Sequence, residues 1–162
     1  MNVLIIGSNF GSKIYLNCVN ELLPNAKITI CSPNILKKKI NKSNIKKLKS
    51  YEEAFYKNNF SLVICATSPL VQSNVIKFIH KKKIKIQGIV IEKPVAENYK
   101  KTKECINLLK KNKIPFVINF IFTQMLIYQK LKKVFKKDNF NEVVYSWFFK
   151  QGYFENFNKT WK

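Results

Sequence analysis

Gly7 and Gly11 frame the segment Gly7-Ser8-Asn9-Phe10-Gly11-Ser12, and residues of that kind do one sort of chemistry well. With small or left-handed-tolerant side chains, the backbone can come close to a ligand, and its N–H groups can hold a phosphate. The dinucleotide fingerprint is Gly-x-Gly-x-x-Gly, and here its second and third glycines are Asn9 and Ser12. Asn tolerates positive φ and Ser is small, so both departures fit. Gly7, Ser8, Asn9, Phe10 and Gly11 are therefore the candidate phosphate turn. Taken alone, the same pattern also fits a strand–turn–helix without a ligand.

Further candidates follow along the chain. In dinucleotide-binding sheets an acid ending the second strand holds the ribose 2′-hydroxyl. That position is Cys31-Ser32-Pro33 here, with Lys37 and Lys38 close behind. Missing carboxylate and nearby cations together favour a 2′-phosphate, hence NADP over NAD, with Ser32 and Lys37 as its contacts. The alternative is that Ser32-Pro33-Asn34 caps the next helix. Thr67 and Ser68 follow another apolar strand and fall on the same edge as the glycine turn. Lys93, read from its surroundings alone, is a solvated loop lysine.

Positioning these residues requires strands and helices in alternation. Val3–Ile6 is a continuous apolar run, suited to a strand buried on both faces, and Ile14, Tyr15, Cys18, Val19 and Leu22 recur at helical spacing. Further strands are expected at Lys27–Cys31, near Ile45, and at Ser61–Ala66, Ile86–Ile91 and Ile114–Asn119. Helices are expected at Tyr51–Tyr56, Leu70–His80 and Glu97–Leu109. Such alternation predicts an α/β fold, a doubly wound parallel sheet with right-handed crossovers.

The composition excludes several classes. A chain of 162 residues with 46% hydrophobic and 14% aromatic content can bury a core, and no apolar run is long enough to span a membrane. Cys18, Cys31, Cys65 and Cys105 form no Cys-x-x-Cys pair and are expected as reduced core thiols. His80 is the sole histidine, so zinc is not expected, and it is placed as a C-terminal helix cap. With no cationic leader before the first strand, the cytoplasm is the expected compartment. The net charge of +21 points towards nucleic acid, yet every basic residue is lysine, and arginine is the usual reader of bases and phosphates. Lys81–Lys83, Lys110, Lys111 and Lys113 fall where helices end and suit the helix dipole. A solvated face is the preferred reading, with a basic nucleic-acid-binding module as the rival.

At Glu92-Lys93-Pro94 the sequence resembles the Gfo/Idh/MocA family of glucose–fructose oxidoreductase and inositol dehydrogenase relatives. The Gly7–Ser12 turn is similar to a Gly-Ser-Gly-Phe-Gly variant found in that family. Ala66-Thr67-Ser68-Pro69 resembles its Ala-Thr-Pro-Pro turn, with Gln72 where many members carry histidine. Asn119-Phe120-Ile121-Phe122 resembles its Asn-Tyr-Arg-Phe segment, with Ile121 in place of arginine. Residues 141–149, NEVVYSWFF, look like the first strand of the family's second domain.

The resemblance implies a Rossmann-type NAD(P)-binding domain over residues 1–121, then a linking helix and the incomplete start of a substrate domain over 122–162. It implies oxidation or reduction of a CH–OH group on a sugar, cyclitol or nucleotide-sugar. Ala66, Thr67, Ser68, Glu92, Lys93 and Pro94 would line the cofactor. Lys93 would be the active-site lysine, a cation beside a developing alkoxide. Members are roughly twice as long, and their second domain supplies an Asp-x-x-x-His-like acid/base pair. This chain ends at Thr160-Trp161-Lys162, about where the glycine-rich segment that precedes that pair should begin. The expectation is a dinucleotide-binding chain that is inactive or incomplete alone, or one half of a split enzyme. The aromatic strand at 143–149 is expected to fold back on a helix near Phe122–Phe135, to pair with a second copy or a complementing chain, or to aggregate.

Overall fold

The computed structural model describes residues 1–37, 40, 44–120, 123 and 125–135. The chain divides into two units, Met1–Phe120 and Ile121–Lys162. The first holds a six-stranded sheet: β1 (Asn2–Ile6), β2 (Lys27–Cys31), β3 (Ile45–Leu48), β4 (Leu62–Cys65), β5 (Gly88–Glu92) and β6 (Phe116–Asn119). All its pairings are parallel and its order is β3-β2-β1-β4-β5-β6. Strand order therefore reverses between β1 and β4, the switch point at which open α/β sheets bind ligands. The expected doubly wound Rossmann-type sheet is the one observed.

The apolar runs divide by alternation between two layers. Leu4, Ile6, Cys31, Val63, Cys65, Ile89 and Ile91 share one core with Ala54, Val75, Ile76, Ile79, Cys105 and Leu109. Those partners come from helices α2 (Tyr51–Lys57), α3 (Pro69–Lys81) and α4 (Tyr99–Lys111). Val3, Ile5, Ile28, Ile30 and Ile64 face the other way, onto Leu16 and Val19 of α1 (Leu16–Leu22). Both faces are apolar because both are covered, hence runs without alternation. Burial pushes the Cys31 thiol up to about 12 and raises those of Cys65 and Cys105, keeping them protonated core groups.

Several boundaries differ from expectation. The first helix opens with a wider π-helical turn at Gly11–Tyr15 before α1. Asn98 accepts a hydrogen bond from the Lys101 N–H, so α4 begins at Tyr99, beyond Glu97. β6 begins at Phe116, since Pro115 has no N–H for the ladder. β5 begins at Gly88, beyond Ile86. Cys18 is exposed, on the solvent side of α1, and is not the core thiol expected. In the second unit, α5 (Leu126–Phe135) falls within the predicted helix. The strand predicted at 143–149 lies outside the described residues.

α3 and α4 end alike. Lys83 and Lys113 take positive φ (52° and 54°), and the Ile84 and Ile114 N–H groups return to the Ile79 and Leu109 carbonyls. Glycine normally fills that left-handed position. His80 stands in the last turn of α3, 2.9 Å from the side-chain nitrogen of Asn112, the residue closing α4. Lys113→Gly relieves the left-handed penalty and is expected to stabilise the protein by about 0.5–1 kcal/mol, measured by urea denaturation.

Candidate functional site

The first turn is built on a backbone passage with no space for a side chain. Gly7 has φ +114°, and a Cβ placed there would lie 2.0 Å from the Ala66 carbonyl oxygen. Its N–H donates to the Cys31 carbonyl at 2.9 Å, while the Ala66 N–H donates to Ile6 at 2.8 Å. The turn is thus stitched to the ends of β2 and β4 together. Gly11 is the second close approach, with a Cβ there lying 2.9 Å from Cγ2 of Ile5. That contact lets the helical segment lie tight on β1, a packing task the fingerprint assigns to its third glycine.

Ser8 is buried, and its hydroxyl lies 3.0 Å from that of Ser32. The Ser32 carbonyl accepts from the Ile35 N–H, opening a short 3-10 turn at Ile35–Lys37. Ser32 therefore spends its side chain on the glycine turn, and its part in the following turn is played by backbone. Lys37 is exposed at the end of that 3-10 turn. Ser12 donates to the Ser8 carbonyl, and the exposed Asn9 and Phe10 form the outer surface of the turn.

At the far side of the switch point stands Glu92-Lys93-Pro94, whose Lys93–Pro94 peptide is cis. The fully buried Gln72 of α3 holds this loop by three hydrogen bonds. Its Nε2 donates to the carbonyls of Glu92 (3.0 Å) and Pro94 (2.8 Å), and its Oε1 accepts from the Glu92 N–H (2.9 Å). Its neighbour Ser73 donates to the Glu97 carboxylate at 3.2 Å. Lys101, bonded to the same carboxylate, holds it below its ordinary range. One face of α3 thereby grips the loop at both ends, and Lys93 is left exposed beyond it.

The Glu92 carboxylate joins two residues from elsewhere. Oε1 accepts from the Tyr15 hydroxyl at 2.5 Å and from Asn119 Nδ2 at 2.6 Å. Asn119 Nδ2 also lies 2.7 Å from the Tyr15 oxygen, closing a three-sided cluster. Burial, and then the Glu92 carboxylate, raise the pKa of Tyr15, so its O–H remains a donor. Tyr15 was not among the candidates read from the sequence, and Gln72 was noted only through the family resemblance, with no role given to it. The Gln72 clamp depends on a long-range contact between α3 and the end of β5. Tyr15 does stand one helical turn beyond Gly11, where the helix passes over the sheet edge.

In register, Ile6 faces Cys31 and Cys65, Cys65 faces Ile91, and Glu92 faces Asn119. Gly7–Gly11, Ser32, Ala66–Ser68, Glu92–Pro94 and Asn119 therefore share the carboxyl edge of one sheet. A surface concavity of about 630 Å³, lined by residues including Asn2, Lys27 and Asn44, lies at the amino edge instead and contains none of them. His80, and Lys81–Lys83 after it, also fall at that opposite end, where α3 closes. Among the described residues no group of three or more His, Cys, Asp or Glu is placed to hold a metal ion. No helix among them is long and apolar enough to cross a membrane.

A glycine turn at the switch point of a parallel sheet is the arrangement of dinucleotide-binding α/β domains. Residues 1–120 match the oxidoreductase family with an NAD-binding Rossmann fold, Gfo/Idh/MocA, and the chain belongs to that family. No curated protein matches its sequence. Among solved structures it is similar to the WlbA dehydrogenase from Bordetella pertussis in complex with NADH and UDP-GlcNAcA, at 14% identity and TM-score 0.73, covering 86% of this chain and 43% of that one. A variant of KijD10, a 3-ketoreductase from Actinomadura kijaniata in complex with TDP-benzene and NADP, gives 13% and 0.70, covering 88% and 44%. An oxidoreductase from Agrobacterium radiobacter in complex with NAD+, L-tartaric acid and magnesium gives 17% and 0.67, covering 84% and 40%. At these identities the likeness is one of fold, and the chain spans about two fifths of each structure's length.

Two mutational outcomes follow from this geometry. Gly7→Ala meets backbone at a positive φ and is expected to cost about 3 kcal/mol or more, whereas Gly11→Ala overpacks against Cγ2 of the buried, β-branched Ile5 and is expected to cost about 1–3 kcal/mol. Gln72→Ala strands three backbone groups of the Glu92–Pro94 loop and is expected to cost about 2–4 kcal/mol in thermal or urea melts.

Proposed function

We propose that this chain is the nucleotide-binding part of an NAD(P)-dependent oxidoreductase acting on a sugar-type CH–OH group. The observation that carries it is the placing of Lys93 on the same sheet edge as the Gly7 turn. From β1 to β5 is two strand spacings, roughly 10 Å, which a dinucleotide bridges when its diphosphate rests on the turn. Its adenosine half would then lie towards Ser32 and Lys37, and its nicotinamide half towards Thr67, Glu92 and Lys93. The turn fits the group, because Gly7, packed on the Ala66 backbone at positive φ, carries the chain from the end of β1 straight into the start of a helical segment, where main-chain N–H groups can meet a diphosphate. When bound, the dinucleotide supplies or accepts the hydride. Lys93 would place an ammonium beside the substrate oxygen and stabilise the alkoxide as it develops.

NADP over NAD is the finer proposal, from the absence of an acid at Ser32. The chain spans about two fifths of the matched structures' length. The lysines at the ends of α3 and α4 match the helix dipoles, which accounts for their positions without a polyanion.

Titration of NADPH and NADH by fluorescence tests the reading. Asn9→Asp sets a carboxylate in the exposed part of the turn, at a helix N-terminus where it does not destabilise the fold. It is expected to weaken binding at least about tenfold with an unchanged melting temperature. Unchanged affinity would remove the phosphate turn from the reading, and NADH bound as tightly as NADPH would remove the NADP preference.

A further inference from the structure

We propose that the Glu92 carboxylate, tied down by Tyr15 and Asn119, makes this site distinguish the two redox states of a nicotinamide ring, favouring the oxidised one. The inference rests on the dinucleotide reading above.

A surface carboxylate is ordinarily mobile, and its field is averaged by water. Glu92 is held on every side that matters. Its backbone is fixed in both directions by Gln72, through the Glu92 N–H and the Glu92 carbonyl. Its Oε1 takes hydrogen bonds from Tyr15 and from Asn119, which come from the segment after β1 and from the end of β6. All these bonds run towards Oε1, as they do to a carboxylate, and Oε2 has no hydrogen-bond partner among the described residues. The charge is half-buried and fixed in place at the end of β5.

The nicotinamide half belongs on this side of the switch point, since the end of β2 takes the adenosine half. An oxidised nicotinamide carries one positive charge and a reduced one carries none. A fixed carboxylate at the ring therefore binds the two forms unequally, while contacts to the diphosphate and riboses bind them equally. Lys93 is the opposing charge on the same loop. It is exposed and makes no ion pair among the described residues, so water screens it more than Glu92.

The test is calorimetric titration of NADP+ and NADPH into the wild-type chain and its variants. The quantity read is the affinity for NADP+ divided by that for NADPH. Glu92→Gln is expected to lower this ratio about tenfold, mostly through NADP+. Glu92→Asp, which keeps the charge, is expected to restore part of it. Lys93→Met lies at an exposed position and is expected to raise the ratio, so it serves if Glu92→Gln does not fold. Binding of both forms with a ratio unmoved by Glu92→Gln, or lowered by Lys93→Met, would overturn the inference and leave the dinucleotide reading standing. Failure of the wild-type chain to bind either form would overturn both.

Discussion

The contact between the first turn and the Ala66 backbone governs the rest of this fold. At Gly7 two segments of main chain pass so closely that a β-carbon would sit 2.0 Å from a carbonyl oxygen. That approach brings the end of β1 against the end of β4, at the place where strand order reverses. It also aims the following helical segment back across the sheet, where Gly11 lets it settle on Ile5. One glycine thus joins the packing of the core to the geometry of the edge. A side chain there would separate the strands or tilt the helix, and either would open the site.

A second device holds the other half of that edge. Strand β5 leads into a loop that would be free in solution were it not gripped by α3. Gln72 is buried completely, and every donor and acceptor it brings is matched to loop backbone, its two N–H groups and its carbonyl oxygen each serving as a bond partner. Burying an amide costs little when it is satisfied in this way. The result is a loop with fixed backbone and an exposed lysine, joined to Tyr15 and Asn119 by a shared carboxylate. Order from three strand ends is concentrated on Glu92.

Charge is arranged unevenly around this frame. The lysine runs gather where α3 and α4 close, beyond the amino edge, and carry much of the excess charge of the described sheet unit. Lys83 and Lys113 even occupy left-handed positions where glycine is usual, a conformational cost accepted at both helix ends. At the carboxyl edge Glu92 and Lys93 stand as neighbours, Glu92 tied down and Lys93 exposed. A small number of fixed charges beside a crevice acts more selectively than many solvated ones.

The sequence alone determined the class of fold and the sheet edge on which the candidate residues stand. Unbroken apolar runs at Val3–Ile6 and Leu62–Cys65 need cover on both faces, which only helices on either side of a parallel sheet supply. Strand, glycine turn and helix in that order put Gly7, Ser32, Thr67 and Lys93 at strand carboxyl ends whatever the details, because a parallel sheet has one such edge. Element boundaries were less legible: the start of β6 turned on the missing N–H of Pro115, and that of α4 on the Asn98 cap. What only tertiary structure decided were contacts between residues far apart in the chain. Nothing in the sequence tied Tyr15 or Gln72 to Glu92, 77 and 20 positions away, until the fold set them against it. Periodicity reports which face of an element is buried, not which polar atoms meet once two elements pack, and that meeting depends on strand order and register.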